Sequence, residues 1–297
     1  MNDKIENKNN ELMDPKNDFC FKELFGHNPR NFINLANTIL GLKDEKKIDS
    51  VTFLNLEMSK ENEGDRGSRL DVLAQLNDGS YINIEMQCAN YKDFEKRSLM
   101  YFSKIYGGQL KKTEKFHSLK PVVIINLVDF IIFDDEEDFH SPLIIANAKS
   151  KKRRCKDFEM HFIEIPKFHK TCYDPMDALE KWVLFFKEPE KKTLKELAMH
   201  SQEIAQAFEN LEILSKDPKS RALYEARKKA LMDIDNGMYV NRLEGKLEGR
   251  LEGRLEGLEE GEKRKSLEFA KKMKAKNSSL AEIIEFTGLT KEEIDKL

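Results

Sequence analysis

No run of this chain is apolar enough to span a membrane, which takes roughly 20 consecutive apolar residues. The longest candidate, 122–133, is interrupted by Asn126 and Asp129. Charge of one sign is also missing. The 51 Lys and Arg stand against 54 Asp and Glu, a formal net charge of −3, which excludes a uniformly basic coat for holding a polyanion. Cysteine is scarce: Cys20, Cys88, Cys155 and Cys172 are too scattered for a disulfide scaffold, and a reduced, cytoplasmic setting is expected. The first ten residues are polar and carry no apolar stretch of a secretory leader. There is no glycine-rich phosphate loop. Gly107 and Gly108 sit late in a helical stretch and fit no nucleotide motif, so no nucleotide cofactor is expected. Cys155, His161, His169 and Cys172 share a window without the close ligand pairs of a zinc site. The 14 glycines are unevenly placed, five of them recurring at Gly245, Gly249, Gly253, Gly257 and Gly261.

At ~150 residues per domain, 297 residues suggest about two domains, or one with appendages. Residues 14–42 read as helical. Asn28 and Pro29 supply an N-cap and first-turn proline for a run in which Phe32, Ile33, Leu35, Ala36, Ile39 and Leu40 keep a helical period, and Gly41 ends it. A strand is expected over 48–58, then a charged loop over 61–67. Alternating strands over 70–76 and 81–88 are joined by the hairpin signal Asn77-Asp78-Gly79. The pattern predicts an amphipathic helix over 93–112, and the β-branched run 121–127 suits a strand buried on both faces. An acidic loop (134–138) and a basic one (149–156) follow, then a strand over 158–165. Asp174-Pro175 is read as the start of a helix carrying Trp182, and 189–276 as almost wholly helical. Two capping boxes, Ser279 with Glu282 and Thr290 with Glu293, flank Gly288 and predict two short helices.

The hairpin register brings chemistry together. A three-residue loop pairs Leu76 with Ser80 and suits a left-handed glycine at Gly79. Leu70, Val72 and Ala74 then face Met86, Ile84 and Ile82 on one apolar face, while the other pairs Leu73 with Asn83 and Asp71 with Glu85. Directly opposed β-carbons lie ~5 Å apart, so the two carboxylates repel. Either a raised pKa, a basic neighbour or a divalent cation compensates, or the face is solvated and the acids tolerate each other.

Asp71, followed across a hairpin by Glu85-Met86-Gln87, resembles the PD-(D/E)XK nuclease core, and the helix–strand–strand–strand–helix–strand order matches it. More specifically, the sequence is similar to the bacterial recombination-promoting nucleases, often labelled transposases. The resemblance is carried by Asp18-Phe19-Cys20-Phe21-Lys22-Glu23-Leu24-Phe25-Gly26, Leu70-Asp71-Val72, Asn83-Ile84-Glu85-Met86-Gln87, Arg97 with Tyr101, and Pro121-Val122-Val123-Ile124. It implies an α/β fold, a mixed central sheet flanked by helices, with an α-helical C-terminal extension. It implies a metal-dependent DNA endonuclease that hydrolyses phosphodiester bonds in recombination or transposition-like events, with Mg²⁺ or Mn²⁺ as cofactor and DNA as partner. The alternative is a catalytically inactive DNA-binding or oligomerising protein on the same scaffold. The implied metal ligands are Asp71, Glu85 and the main-chain carbonyl of Met86. Gln87 takes the place of the general motif's lysine and would orient the attacking water. Lys22 and Glu23 belong to the first-helix motif, and Glu23 is the candidate for the acid that many relatives carry there.

Arg97 and Tyr101 are four apart and share a helix face. They contact a phosphate or the carboxylates, or else Tyr101 packs in the core with Arg97 at its edge. Lys104, Lys111, Lys112 and Lys115 extend a basic surface that suits DNA phosphates or plain solvent. The expected organisation is a disordered N-terminus (1–13), a nuclease-like domain (14–190), a helical region (191–241), a glycine-repeat helical tail (242–276) and a terminal helix pair (277–297). In the tail, Leu243, Leu247, Leu251 and Leu255 drift by ~40° per four-residue step, a slowly turning apolar stripe with glutamates on one flank and Lys246, Arg250 and Arg254 on the other. Every i,i+4 charge pair within the repeat is like-charged, and each interior glycine costs ~1 kcal/mol relative to alanine. Two copies meeting through the leucines match acid to base only when parallel, so a homo-oligomer through 243–261 is one reading. A flexible, partly helical tether is the other.

Overall fold

In the computed structural model, residues 11–54, 71–90, 92–110, 113 and 115–297 are described. Expectations at Leu70, Lys111 and Lys112, and the outer part of the strand over 48–58, lie outside them. The first compact unit, Met1–Lys229, holds a six-stranded mixed sheet; the second is Ala230–Leu297. In chain order the sheet is built from β1 (Val51–Leu54), β2 (Val72–Leu76), β3 (Tyr81–Gln87), β4 (Val122–Val128), β5 (His140–Ile144) and β6 (Phe158–Glu164). Their spatial order is β1-β2-β3-β4-β6-β5. The pairs β1–β2, β2–β3 and β5–β6 are antiparallel, whereas β3–β4 and β4–β6 are parallel.

The hairpin has the register its apolar pattern selects. Val72 pairs with Ile84, Leu73 with Asn83 and Ala74 with Ile82. The Leu76 N–H donates to the Ser80 carbonyl at 2.8 Å, and Gly79 takes φ +86°, the left-handed conformation that a residue without Cβ adopts at no steric cost.

Helices cover both faces. On one, α1 (Asp18–Phe21) continues into a π-helical turn, Lys22–Gly26, and is followed by α2 (Pro29–Ile39). The Asn17 side chain caps α1, and Asn28 accepts from the Asn31 N–H at 3.2 Å to cap α2. On the other face lies α3 (Phe94–Gly107), the crossover between the parallel strands β3 and β4. Because side chains alternate across a strand, each face has its own core. Val72, Ala74, Ile82, Ile84, Met86, Ile125 and Leu127 pack with α1, α2 and α4 (Ala178–Lys187). Leu73, Ile124, Val128 and Phe162 pack with Phe94, Tyr101 and Ile105 of α3. Trp182 is buried against Phe25, ring centroids 5.8 Å apart and edge-on. The helices α5 (Lys191–Met199) and α6 (Gln202–Lys216) complete the first layer. Met13, in the stretch expected to be disordered, is fully buried, and its N–H donates to Ser215 Oγ at 3.0 Å.

Two local expectations are corrected. The Trp182 helix begins at Ala178, capped reciprocally by Asp177 and Glu180. Asp174 instead accepts from the Thr171 N–H at 2.7 Å, closing a separate turn. The edge strand β5 was not expected. It carries Pro142 and mostly exposed residues, so it lacks the alternation that marks a half-buried strand, and proline is tolerated at an edge.

The helix α7 (Pro218–Ala275) crosses from the first unit into the second. The short helices α8 (Leu280–Thr287) and α9 (Lys291–Asp295) form the capping boxes read from the sequence, and Ile283, Leu289 and Ile294 pack on Ala270 of α7. Among the described residues no helix is long and apolar enough to cross a membrane.

Candidate active site

The site lies where β2 begins and β3 ends. Continuing the hairpin register one residue beyond Val72 and Ile84 sets Asp71 opposite Glu85; one bond joins the two and a second ties Asp71 to the Met86 backbone. The Asp71 N–H donates to Glu85 Oε1 at 3.1 Å, and the Met86 N–H donates to Asp71 Oδ2 at 3.0 Å. Glu85 Oε1 also accepts from the Asn83 side-chain amide at 2.9 Å. The Lys22 ammonium reaches Asp71 Oδ1 at 3.1 Å.

Burial sets the electrostatics. Glu85 is 4% exposed, and its carboxyl is pushed up to about 8, first by loss of solvent and then by the charge of Asp71. Burial also raises Asp71, with Lys22 and the Met86 N–H pulling the other way. Tyr101 is raised by burial and by the charge of Glu85, so it faces the pair from α3. A buried acid opposed by a half-buried one favours a positive charge beside the pair, which Lys22 supplies on the Asp71 side.

Gln87 follows on the same strand face as Glu85. Its carbonyl oxygen accepts from Arg97 Nη2, and its amide donates to the Ala89 carbonyl at 3.0 Å. Arg97 lies over the Phe94 ring at 4.6 Å and near the Tyr101 ring at 5.9 Å, and its Nε is buried without a partner. Tyr101 therefore packs in the core with Arg97 beside it, and Arg97 bonds to Gln87 at the end of β3. Lys104 is half-buried one turn farther along α3.

Glu23 is turned toward His27, its carboxylate 3.3 Å from Nδ1. The first-helix acid whose charge acts on Asp71 is Asp18, four residues before Lys22. One Asp18 oxygen is buried without a partner, and the other lies 3.4 Å from Arg227 Nε. Asp18, Asn83 and Asn126 are site neighbours to which the sequence reading gave no role. Asn126 sits beside Glu85 in the β3–β4 register and accepts from Ser98 Oγ at 2.9 Å. Its signal was present, as a polar residue interrupting an apolar strand.

A family model described as a PD-(D/E)XK nuclease family transposase matches residues 15–240. The chain belongs to this family. Its mixed six-stranded sheet with flanking helices and a long C-terminal helix is consistent with a PD-(D/E)XK nuclease-like α/β fold. A search of curated proteins and a search of solved structures each gave no match. Membership supports a nuclease or transposase-like function, and PD-(D/E)XK nucleases generally use divalent metals. Among the described residues no group of three or more His, Cys, Asp or Glu side chains gathers as a metal cage. A carboxylate pair is the smaller set that a magnesium-type ion uses, with waters and substrate phosphate completing its shell.

Proposed function

We propose that this chain is a metal-dependent DNA endonuclease hydrolysing phosphodiester bonds in recombination or transposition-like events. The observation that supports it most is the opposed Asp71–Glu85 pair, in which burial and the charge of Asp71 push Glu85 up to about 8. Asp71, Glu85 and the Met86 carbonyl are the donor set for Mg²⁺ or Mn²⁺, since both ions take hard oxygen ligands. When bound, the ion lowers the pKa of a water and offsets charge developing on the phosphate. The chain's own residues position the rest. The Met86 N–H and Lys22 hold Asp71, and the Asp71 N–H and Asn83 hold Glu85. On this reading the second amide hydrogen of Gln87 orients the attacking water, Arg97 and Lys104 face the incoming strand, and Tyr101 supports them from the core. Glu23 is the alternative first-helix acid. The nuclease function is assigned to 14–190, and the setting is cytoplasmic, in contact with the nucleoid.

A plasmid-nicking assay with Mg²⁺ tests the reading. Wild type cleaves, and Asp71→Ala and Glu85→Ala lose at least ~10³-fold, the several kcal/mol that a metal's charge contributes to such a barrier. Equal cleavage by all three proteins points to a contaminant and ends the assignment. A second reading, a DNA-binding protein on an inactive scaffold, is favoured by one observation: both ends of the Gln87 amide are already engaged. Salt-sensitive DNA binding without cleavage would select it.

DNA is the partner we infer, and the basic run 149–156 is either a contact with it remote from the carboxylates or an exposed loop tip. It forms an ordered turn in which Asn147 Oδ1 accepts from the N–H groups of Lys149 and Ser150 at 3.1 and 2.8 Å. Ala146 bridges to Arg153, leaving Lys149, Lys151, Lys152, Arg154 and Lys156 exposed. The turn lies beside the start of β6, at the sheet end opposite the carboxylates. Lys151→Ala with Lys152→Ala is expected to reduce the slope of log affinity against log salt by about 2, at roughly 0.9 per duplex phosphate contact. An unchanged slope would place the duplex elsewhere. We also infer homo-oligomerisation through 243–261, where the leucine stripe is exposed.

A further inference from the structure

We infer that Lys22 supplies to the scissile phosphate the positive charge that Gln87 lacks, an inference that rests on the nuclease reading above. In the general motif a lysine stands two residues after the glutamate, and this chain has Gln87 there. The amide carries no net charge, and its two ends are committed to Arg97 and the Ala89 carbonyl. Arg97 does not substitute readily. Its guanidinium is laid over the Phe94 ring at 4.6 Å and spends an N–H on Gln87.

Lys22 approaches from the other side of the pair, 3.1 Å from Asp71 Oδ1. Two features of α1 aim it there. The helix widens into a π turn at Lys22–Gly26, a local distortion that is uncommon and is frequent at functional sites. Asp18, one turn earlier, also acts on Asp71, so this face of α1 presents an acid and a cation to the same carboxylate. The Lys22 side chain is 24% exposed, open enough for its flexible stem to turn from Asp71 to a phosphate oxygen. Its role is electrostatic: it forms and breaks no covalent bond and carries no proton through the reaction.

The test compares wild type, Lys22→Arg and Lys22→Ala in the full chain for plasmid cleavage, DNA binding in Ca²⁺ and thermal unfolding. Lys22→Ala is expected to lose ~10²- to 10³-fold in cleavage rate, the usual effect of removing one preorganised charge-stabilising donor. Lys22→Arg should keep part of the rate, and DNA binding should persist in both. Ethylammonium at constant ionic strength is expected to restore Lys22→Ala at least ~10-fold, and tetramethylammonium, which has no N–H to donate, should not. Cleavage by Lys22→Ala within about threefold of wild type overturns the inference and leaves the nuclease reading standing. Loss without ammonium rescue, accompanied by a lower melting temperature, also overturns it, because Lys22 is then a structural partner of Asp71. No cleavage by wild type with Mg²⁺ or Mn²⁺ takes down the nuclease reading, and the role of Lys22 with it.

Discussion

Glu85→Gln is expected to abolish cleavage and, at neutral pH, to stabilise the metal-free protein. The substitution keeps shape and volume, and its amide oxygen can still accept from the Asp71 N–H and the Asn83 amide as Oε1 does. What it removes is a carboxyl that the folded chain keeps protonated at neutral pH while the unfolded chain releases the proton. The Glu85 carboxyl titrates near its ordinary 4.5 in the unfolded chain and at about 8 in the folded one. Below the lower value both states are protonated, and pH has no effect through this group. Between the two, the unfolded chain releases a proton that the folded chain retains, so stability falls as pH rises, by up to about 1.4 kcal/mol per pH unit. Above about 8 the dependence levels off. Burial raises Asp71 as well, which adds a slope of the same sign. Urea midpoints at pH 5, 6, 7 and 8 should therefore converge at the acid end, with wild type dropping below Glu85→Gln as pH increases. Mg²⁺ should raise the wild-type midpoint and leave the variant unmoved, since a ligand that binds only the native state stabilises it by mass action. Parallel curves for the two proteins would mean that Glu85 is not a buried, opposed carboxyl.

The hairpin is legible in the sequence because a one-residue slip would move Val72, Ala74, Ile82 and Ile84 from a buried face to the opposite one. That constraint is strong enough to set Asp71 across from Glu85 without knowledge of the rest of the fold. The first-helix acid is not legible in the same way. Asp18 and Glu23 stand in one helical stretch, and which of them turns toward Asp71 depends on a π turn for which no residue pattern is diagnostic. Gln87 illustrates a similar limit. Its position on the face of Glu85 follows from strand periodicity, but its contact with Arg97 depends on how α3 crosses the sheet, a tertiary fact. The edge strand β5 is hidden because its few contacts lie on one side and its residues are mostly exposed, so little selects an alternating pattern.

Leu247→Asp with Leu251→Asp is expected to make the chain monomeric and to melt much of the helix around the repeat. The tail is helical through the whole glycine repeat, although its own composition opposes that state. Interior glycines cost ~1 kcal/mol each relative to alanine, and the i,i+4 pairs along both flanks are like-charged. Among the described residues, none packs on the repeat to offset this. A methyl group placed at Gly245, Gly249, Gly253, Gly257 or Gly261 meets no atom within 4 Å, so no neighbour in the same chain requires glycine. Leu243, Leu247, Leu251 and Leu255 are 47–62% exposed. On the homo-oligomer reading, stability comes from another copy that covers the leucines. A parallel copy sets each glutamate flank against the Lys246, Arg250 and Arg254 flank, whereas an antiparallel one opposes like charges. The four-residue spacing exceeds the 3.6-residue turn, so the stripe stays in contact only if the helices cross in the right-handed sense. Sedimentation and circular dichroism should show helicity rising with concentration in wild type, and a smaller, less helical and concentration-independent double variant. In a Cys88→Ser background, which removes the exposed native thiol, Gly253→Cys should crosslink to its own equivalent, because parallel pairing in register brings identical positions together. A monomeric wild type with unchanged helicity would show instead that the repeat is a self-sufficient tether, and the leucine stripe would then need another explanation.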